Sequence, residues 1–327
     1  FHQIPSLVRG IWPLSDLRAL LALTLLLRRL KPAIVHTHSS KAGVLGRVAA
    51  WLAGVPIIIH SIHGFGFTRY QSAVVRRTLI ALECLVAKVT TRFFAVSEAN
   101  RQLGMEIGLF PESRCTVIRS GVDVAAIRRL EVDTTAKKRE LGLEPGRPVV
   151  GMVAPMKPQK APLDFVRVAA RVAEKKPETQ FLFVGDGELR EAMETEIARL
   201  GLTKSFRLAG WRRDVPAIMR CLHVFVLTSL WEGLPRVYLE AMASGVPVVG
   251  TRVDGAAEVI RDGVSGYLLA PGDVQGLADR VLSLLANPTT AADMGRWGES
   301  LPREFDIYDM VRRQEQEYER LLAGIKA

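Results

Sequence analysis

Two carboxylates, Glu232 and Glu240, bracket Gly-Leu-Pro-Arg-Val-Tyr-Leu inside the stretch SLWEGLPRVYLEAMASGVPVVGT, residues 229–251. The preceding VFVLTS (224–229) reads as a strand, so Glu232 falls on the loop at its carboxyl end. Pro235 suits the first turn of a helix, where its missing N–H would have no partner anyway. That places Glu240 about a turn and a half into the helix. A helix start offers unpaired N–H groups and the positive end of the backbone dipole, a place for an anion. Gly233 lets a bulky ligand approach the backbone. Two carboxylates aimed at one phosphate would repel it, so they suit hydroxyl-bearing groups instead. A diphosphate at the helix start, with a sugar on one side and a ribose on the other, satisfies the pattern. A solvated loop acid and a surface helix residue satisfy the same spacing, and spacing alone leaves both readings open.

The elements that would position these residues alternate along the whole chain. At 327 residues, two domains are expected. An apolar fraction of 48% with 24% charged residues suits soluble cores and excludes disorder. Short β-branched runs at 33–38, 56–64, 92–97 and 114–121 alternate with amphipathic stretches at 15–30, 41–53, 72–89 and 97–108. Ser15 and Ser97 suit helix N-caps. Around 123–147 the pattern breaks into a polar stretch expected to be a linker. It then restarts with strands at 149–154, 180–187, 205–210, 224–229, 246–251 and 266–270, and a long helix at 306–325. The nearly all-apolar strands predict parallel sheets covered on both faces. The apolar run Leu17–Leu27 contains Arg18 and is too short to span a bilayer, so it is expected to be a buried helix.

The net charge of +10 is uneven. Residues 1–140 hold 20 Lys+Arg against 9 Asp+Glu, whereas residues 141–327 hold 24 against 25. A basic first half suits a solvated face or attraction to an anionic membrane surface. Nucleic acid is not expected, because no basic run is interleaved with aromatics. Cys84, Cys115 and Cys221 are scattered, form no CxxC, and read as reduced, buried thiols of a cytosolic protein. His36 and His38 alternate along one strand and face one side, but no third metal ligand is apparent. His60 reads as a core histidine.

The Glu232–Glu240 segment resembles the E-x7-E motif of retaining glycosyltransferases with the GT-B fold, specifically glycosyltransferase family 4. VHTHSSKAGVLGRVAAWLAGVPIIIHSIHG, VSEANRQLG, VIRSGVDV, FVGDGEL, LAGWRRDVPAIM and GAAEVIRDGVSGYLLAPGD resemble the family's successive blocks in order, over nearly the whole chain. The resemblance implies two Rossmann-like βαβ domains facing across a cleft. An acceptor-binding domain is expected at 1–125, a linker at 126–147 and a donor-binding domain at 148–304. A C-terminal helix, 305–327, is expected to cross back onto the first domain.

The resemblance also implies site roles. Glu240 matches the ribose-binding glutamate and Glu232 the one beside the transferred sugar. Gly233, Leu234, Pro235 and Arg236 match the loop that contacts the diphosphate, and Lys160 the lysine that neutralises it. His63 matches a histidine near the reacting centre. Gly185 to Glu188, Trp211 and Arg212 fall where the family holds the base. His38, Ser39, Ser40 and Lys41 are expected on the acceptor side, and Glu258 beneath the donor loop. The donor is expected to be UDP-linked on family grounds, with no cofactor. No metal is expected either, because the sequence has no Asp-x-Asp. The implied enzyme transfers a sugar to a lipid-linked or oligosaccharide acceptor in bacterial surface polysaccharide assembly. It would work in the cytoplasm, peripherally on the inner face of the plasma membrane.

Two departures from the family pattern stand out. Pro155 occupies the place of a common arginine, with Lys157, Arg212 or Arg213 as candidate substitutes. The chain opens at Phe1 in FHQIPSLVRGIWPLSDLRAL, which resembles the connection before a later helix, so about one strand-helix-strand unit is expected to be absent. These departures keep a catalytically inactive binding subunit or incomplete fragment as the alternative, alongside a GT-B nucleotide-sugar epimerase.

Overall fold

β-branched runs pair into two separate parallel sheets, and amphipathic helices fill the crossovers that parallel pairing requires. The computed structural model describes residues 1–326. They divide into two compact units, Phe1–Ser120 with the chain from Asp309 onward, and Gly121–Tyr308.

The first unit begins with α1 (Pro13–Leu30), β1 (Ile34–His38), α2 (Ser40–Leu52), β2 (Ile57–Ile62), α3 (Ala73–Ala87), β3 (Arg92–Ala95), α4 (Glu98–Glu106) and β4 (Cys115–Val117). Its sheet runs in the order β1-β2-β3-β4, all parallel. Every residue of β2 is buried, whereas β1, at the edge, is mostly half-buried. Alternate strand residues feed two clusters. Ile57, Ile59, Phe94 and Ile118 form one, and Ile62, Phe93, Ala95 and Phe110 belong to the other.

Two local expectations are corrected here. The helix over Leu17–Leu27 is not buried: within α1 only Ala19 and Thr24 are, and Leu14, Leu17, Leu21 and Leu25 are exposed. Its inner face packs on α2, and the apolar run simply continues around the helix. Ser15 is not its N-cap, because Pro13 starts the helix two residues earlier and the Ser15 hydroxyl donates to the Ser6 carbonyl at 2.7 Å. Ser97 does cap α4, accepting from the Asn100 N–H.

In the second unit, α5 (Val124–Arg129) and α6 (Thr134–Glu140) lead into β5 (Val149–Val153), α7 (Pro162–Lys175), β6 (Gln180–Val184), α8 (Arg190–Arg199), β7 (Phe206–Leu208) and α9 (Val215–Met219). There follow β8 (Val224–Leu227), α10 (Arg236–Ala243), β9 (Val248–Thr251), α11 (Ala256–Val259), β10 (Gly266–Leu269), α12 (Val274–Ala286) and α13 (Pro288–Arg296). The parallel sheet runs β10-β9-β8-β5-β6-β7. Its central strands β5, β6 and β8 are almost wholly buried, as expected of a sheet covered on both faces.

The stretch 126–147 is not an open linker. Arg220 donates to the carbonyls of Ile127 and Arg128, and Lys137 pairs with Asp214, so α5 and α6 belong to the second unit. The division lies at Gly121. A Cβ there would stand 2.5 Å from the Asp306 carbonyl carbon, because Val122 pairs with the backbone at 305–307. The last helix, α14 (Ile307–Lys326), belongs to the first unit from Asp309 onward. There Met310, Tyr318, Leu321 and Leu322 cover the Ile57–Phe94 cluster.

Candidate active site

The carboxyl ends of β5, β6 and β8 and the loop after β7 enclose a cavity of about 540 Å³, a size that suits a small-molecule ligand. Glu232, Leu234, Pro235, Arg236, Glu240, Lys160, Gly185, Trp211 and Arg212 all line it. So does Pro155, with Val153 and Ala154 beside it. Gly233 is buried and does not line the wall, and its carbonyl accepts from the Gly255 N–H at 3.2 Å.

The loop that carries Glu232 is fixed from several directions. Thr228 Oγ1 donates to the carbonyls of Lys160 and Ala161, at 2.9 Å each. The Leu230 N–H donates to the Gln159 carbonyl, and Gln159 Nε2 to the Trp231 carbonyl, both at 2.8 Å. Glu232 is buried. Ser229 Oγ donates to its Oε1 at 2.6 Å, Lys160 Nζ is ion-paired with the same oxygen, and its own N–H donates to Asp254 Oδ2 at 2.6 Å. Sequence reasoning missed Ser229 and Asp254. The signal for the former was a hydroxyl three residues before the glutamate. Asp254 sits 22 positions away and is joined only by the fold. Its φ of 36° is unusual for a non-glycine residue.

At the other side of the cavity, α10 begins with Pro235 as N-cap and no side-chain cap. The Tyr238 N–H turns back to the Pro235 carbonyl at 3.0 Å, and the N–H groups of Arg236 and Val237, before it, have no carbonyl within the helix to reach. Glu240, half-buried one turn on, has its pKa raised by burial, with Arg236 opposing the rise. Opposite, the turn after β6 needs glycine at Gly185: with φ +135°, a Cβ there would lie 1.9 Å from the Ala154 carbonyl oxygen.

The cations of the wall differ in their commitments. Lys160 is paired with Glu232. Arg212 is held by Asp214, with N–O distances of 2.8 and 2.7 Å, and by Glu140, and it keeps the Asp214 carboxyl well below the usual carboxylate range. Arg213 and Lys157 do not line the cavity. Of the three candidate substitutes for an arginine at Pro155, two are thus outside the wall and the third is engaged. Arg236 is exposed, lines the wall, and has no ion-pair or hydrogen-bond partner among the described residues. Trp211 is 72% exposed beside Arg212, a flat apolar face open to a ligand. Glu188 and Glu258 lie outside the cavity lining.

The first unit gathers a second set of predicted residues where β1 and β2 end. His38 Nδ1 and His63 Nε2 lie 2.9 Å apart. His36, whose ring centroid is 4.3 Å from that of His38, meets Ser61 Oγ at 2.8 Å and the Tyr318 hydroxyl at 2.5 Å. Burial, followed by the neighbouring His38 and His63, lowers the His36 pKa to about 3. His60 is buried against Thr37 Oγ1 at 2.9 Å, and its pKa is lowered to about 2 by burial, then by Arg47. Ser39, Ser40 and His63 line a small hollow with Glu83. Lys41 is not among them. It pairs with Asp16 and donates to the Val8 and Gly10 carbonyls, so it ties down the segment before α1 and is not available on the acceptor side. Cys115 and Cys221 are buried and Cys84 half-buried. Burial raises all three pKa values, that of Cys115 to about 12, which leaves inert thiols.

Comparisons with known proteins agree with this architecture. Residues 2–126 match the model for Glycosyltransferase Family 4, and residues 147–287 match that for Glycosyl transferases group 1. The chain is 34% identical over 294 residues, 86% of its length and 76% of the relative's, to the UDP-Gal:alpha-D-GlcNAc-diphosphoundecaprenol alpha-1,3-galactosyltransferase of Escherichia coli. It is 26% identical to the capsular polysaccharide biosynthesis glycosyltransferase CapM of Staphylococcus aureus, over 91% of this chain and 78% of that one. Among solved structures, Anabaena HepE in complex with UDP-glucose superposes with a TM-score of 0.83 at 22% identity, covering 94% of this chain and 84% of that one.

Proposed function

The chain belongs to the family 4 glycosyltransferases of GT-B fold, and on that premise we propose that it moves a sugar from a UDP-sugar to a lipid-linked or oligosaccharide acceptor, with retention of configuration, in bacterial surface polysaccharide assembly. The observation that carries this reading is the second unit's cavity, where paired Glu232 and Lys160, the open start of α10 with Arg236, and Glu240 line one wall.

The donor's charges assign the ends. Glu240 accepts hydrogen bonds from the ribose hydroxyls, and Gly185 and Trp211 flank the base. The diphosphate lies at the α10 N–H groups, the positive end of the helix dipole. Arg236 supplies a free cation there. Lys160 has three N–H donors, so its ion pair with Glu232 leaves capacity for phosphate oxygens. Glu232, fixed by Ser229 and Asp254, holds the sugar hydroxyls.

In the reaction the bond from the anomeric carbon to the β-phosphate oxygen breaks and its electron pair leaves with UDP. The acceptor hydroxyl forms the new bond on the same face, and its proton passes to the departing phosphate. The developing charge on UDP is what Lys160, Arg236 and the α10 N–H groups stabilise, so this reading asks for no metal. The sugar passes through an oxocarbenium-like state. The acceptor falls to the first unit's His38, His63, Ser39 and Ser40. The setting is the cytoplasmic face of the plasma membrane. The basic excess of residues 1–140 supports it, and no described helix is long and apolar enough to cross a bilayer. The E. coli relative's name, with a UDP-sugar and a diphosphate-lipid acceptor, supports the substrate classes.

A thermal-shift titration with UDP, GDP, ADP and dTDP tests the donor site. Nucleotide at 100 times its dissociation constant should stabilise by about 2.7 kcal/mol, a rise of several degrees. The expected result is a shift with UDP that Glu240→Ala removes. No shift with UDP from folded protein overturns the reading, and NMR of the product's anomeric proton decides retention.

A further inference from the structure

The crossover helix α3 turns its apolar residues outward. Only Val86 and Ala87 are buried in it, whereas Val74 is 76% exposed and Leu85 61%. Val74, Thr78, Ala81, Leu82 and Leu85, all exposed, recur every three or four residues and so share one side of the helix. Exposed basic residues border this side: Arg77 on the helix, Arg69 before it and Lys88 after it, whereas Arg76, seven residues before Glu83, lies on the Glu83 side. Exposed Tyr70 lies under the Arg69 guanidinium, 5.1 Å from ring centre to Cζ. Between Arg69 and Lys88 the sequence has one acid, Glu83, and this is turned inward to Arg47, which is fully buried, at 2.6 Å. The outward face is therefore aliphatic and purely cationic.

We infer that α3 is an interfacial helix that lies on an anionic lipid bilayer, with Val74, Leu82 and Leu85 at the acyl boundary and Arg69, Arg77 and Lys88 among the headgroups. Aliphatic side chains bordered by cations are what such a helix needs. A second copy of this chain is a poorer occupant, since a two-fold contact would bring like charges together. The helix also contributes Glu83 to the hollow lined by Ser39, Ser40 and His63. If those residues take the acceptor, which rests on the function proposed above, α3 presents them at the depth of a lipid-linked diphosphate.

Sedimentation of the purified chain with vesicles tests this, using phosphatidylcholine alone and phosphatidylcholine with about one third phosphatidylglycerol. Wild type should bind the anionic vesicles only, and salt should release it. Each basic residue near such a surface is worth about a fivefold change in partitioning, so Arg77→Glu/Lys88→Glu should lower it at least twentyfold. Leu82→Ser/Leu85→Ser should lower it severalfold. Wild type that stays in the supernatant overturns the inference, as does wild-type binding by both variants. Binding lost in Leu17→Ser/Leu21→Ser on α1 but kept in the α3 variants also overturns it. So does a dimer, seen by light scattering without lipid, that Leu82→Ser/Leu85→Ser dissolves. UDP-induced stabilisation reads the other unit. Its outcome in wild type therefore keeps failure of the proposed function distinct from failure here, and an unchanged circular dichroism spectrum and cooperative melt show that each variant's first unit is folded.

Discussion

Glu232 and Lys160, 72 positions apart in the chain, are ion-paired in the wall of the second unit's cavity, and Ser229 holds the same carboxylate oxygen from the other side. Removing the lysine alone leaves a buried carboxylate without its cation. Lys160→Ala should therefore cost about 3 kcal/mol of stability, and adding Glu232→Gln should recover part of it. Urea denaturation of the two single variants and the double variant measures the coupling, and additive losses would show that the pair is energetically idle. In the transfer assay, Glu232→Gln should lower kcat about a hundredfold or more while UDP affinity changes little.

Arg236 lines that wall with no ion-pair or hydrogen-bond partner among the described residues, and Pro155 faces the same cavity without a charge. Arg236→Ala should weaken UDP about tenfold, in keeping with a lost charge-assisted contact, and leave UMP nearly unaffected. Pro155→Arg should raise turnover, and in the Arg236→Ala background it should restore part of the UDP affinity. Calorimetry with both nucleotides gives the comparison. An unchanged UDP-to-UMP ratio in Arg236→Ala would mean that the diphosphate lies elsewhere.

In the proposed donor site Glu240 accepts from the ribose hydroxyls most strongly when ionised, and burial has raised its pKa. Protonation removes the charge and turns one acceptor oxygen into a donor, so UDP affinity should fall as pH drops through that raised pKa, above the ordinary carboxylate value of 4.5. Glu240→Gln should bind UDP weakly with little pH dependence over the same range. A pH series of UDP titrations checks this, and identical pH dependence in both proteins would remove Glu240 from the ribose site.

The histidines within β1 and β2 set an acid limit for the first unit. His36 and His60 have folded pKa values of about 3 and about 2 against the ordinary histidine value of 6.5. Below pH 6.5 the unfolded chain therefore binds more protons than the folded one, and stability falls as pH drops toward 3. At pH 5 each histidine should have cost about 2 kcal/mol. Thermal melts from pH 8 to 4.5 should show this decline. His60→Asn should flatten it, despite a lower starting stability, and an equal slope in that variant would argue against the assignment.

Several of these relationships could be read in advance, because they are local. Ser97 capped α4 where hydroxyl and helix start are adjacent. Gly185 followed a strand, and Pro235 marked the start of α10 just after Glu232. The polar stretch 126–147 misled for the opposite reason. Its composition resembles a linker, but α5 and α6 are anchored by Arg220 and Asp214, both more than 70 positions further along. Leu17–Leu27 misled likewise, since apolarity marks a helix but not which neighbours cover it.

The sequence by itself determined the alternation of strands and helices, the parallel character of both sheets, and the placement of two glutamates at a strand end and a helix start. Those follow from side-chain periodicity and backbone rules that act within a few residues. The tertiary structure alone decided which charges are already spent. Arg212 is held by Asp214 and Glu140, Lys41 by Asp16, and Glu83 by Arg47, while Arg236 is left facing the cavity and the aliphatic side of α3 is left bordered by cations. A charge's availability depends on which opposite charge comes within contact distance. Most of these pairs join residues from different elements, which the fold brings together and no local pattern records.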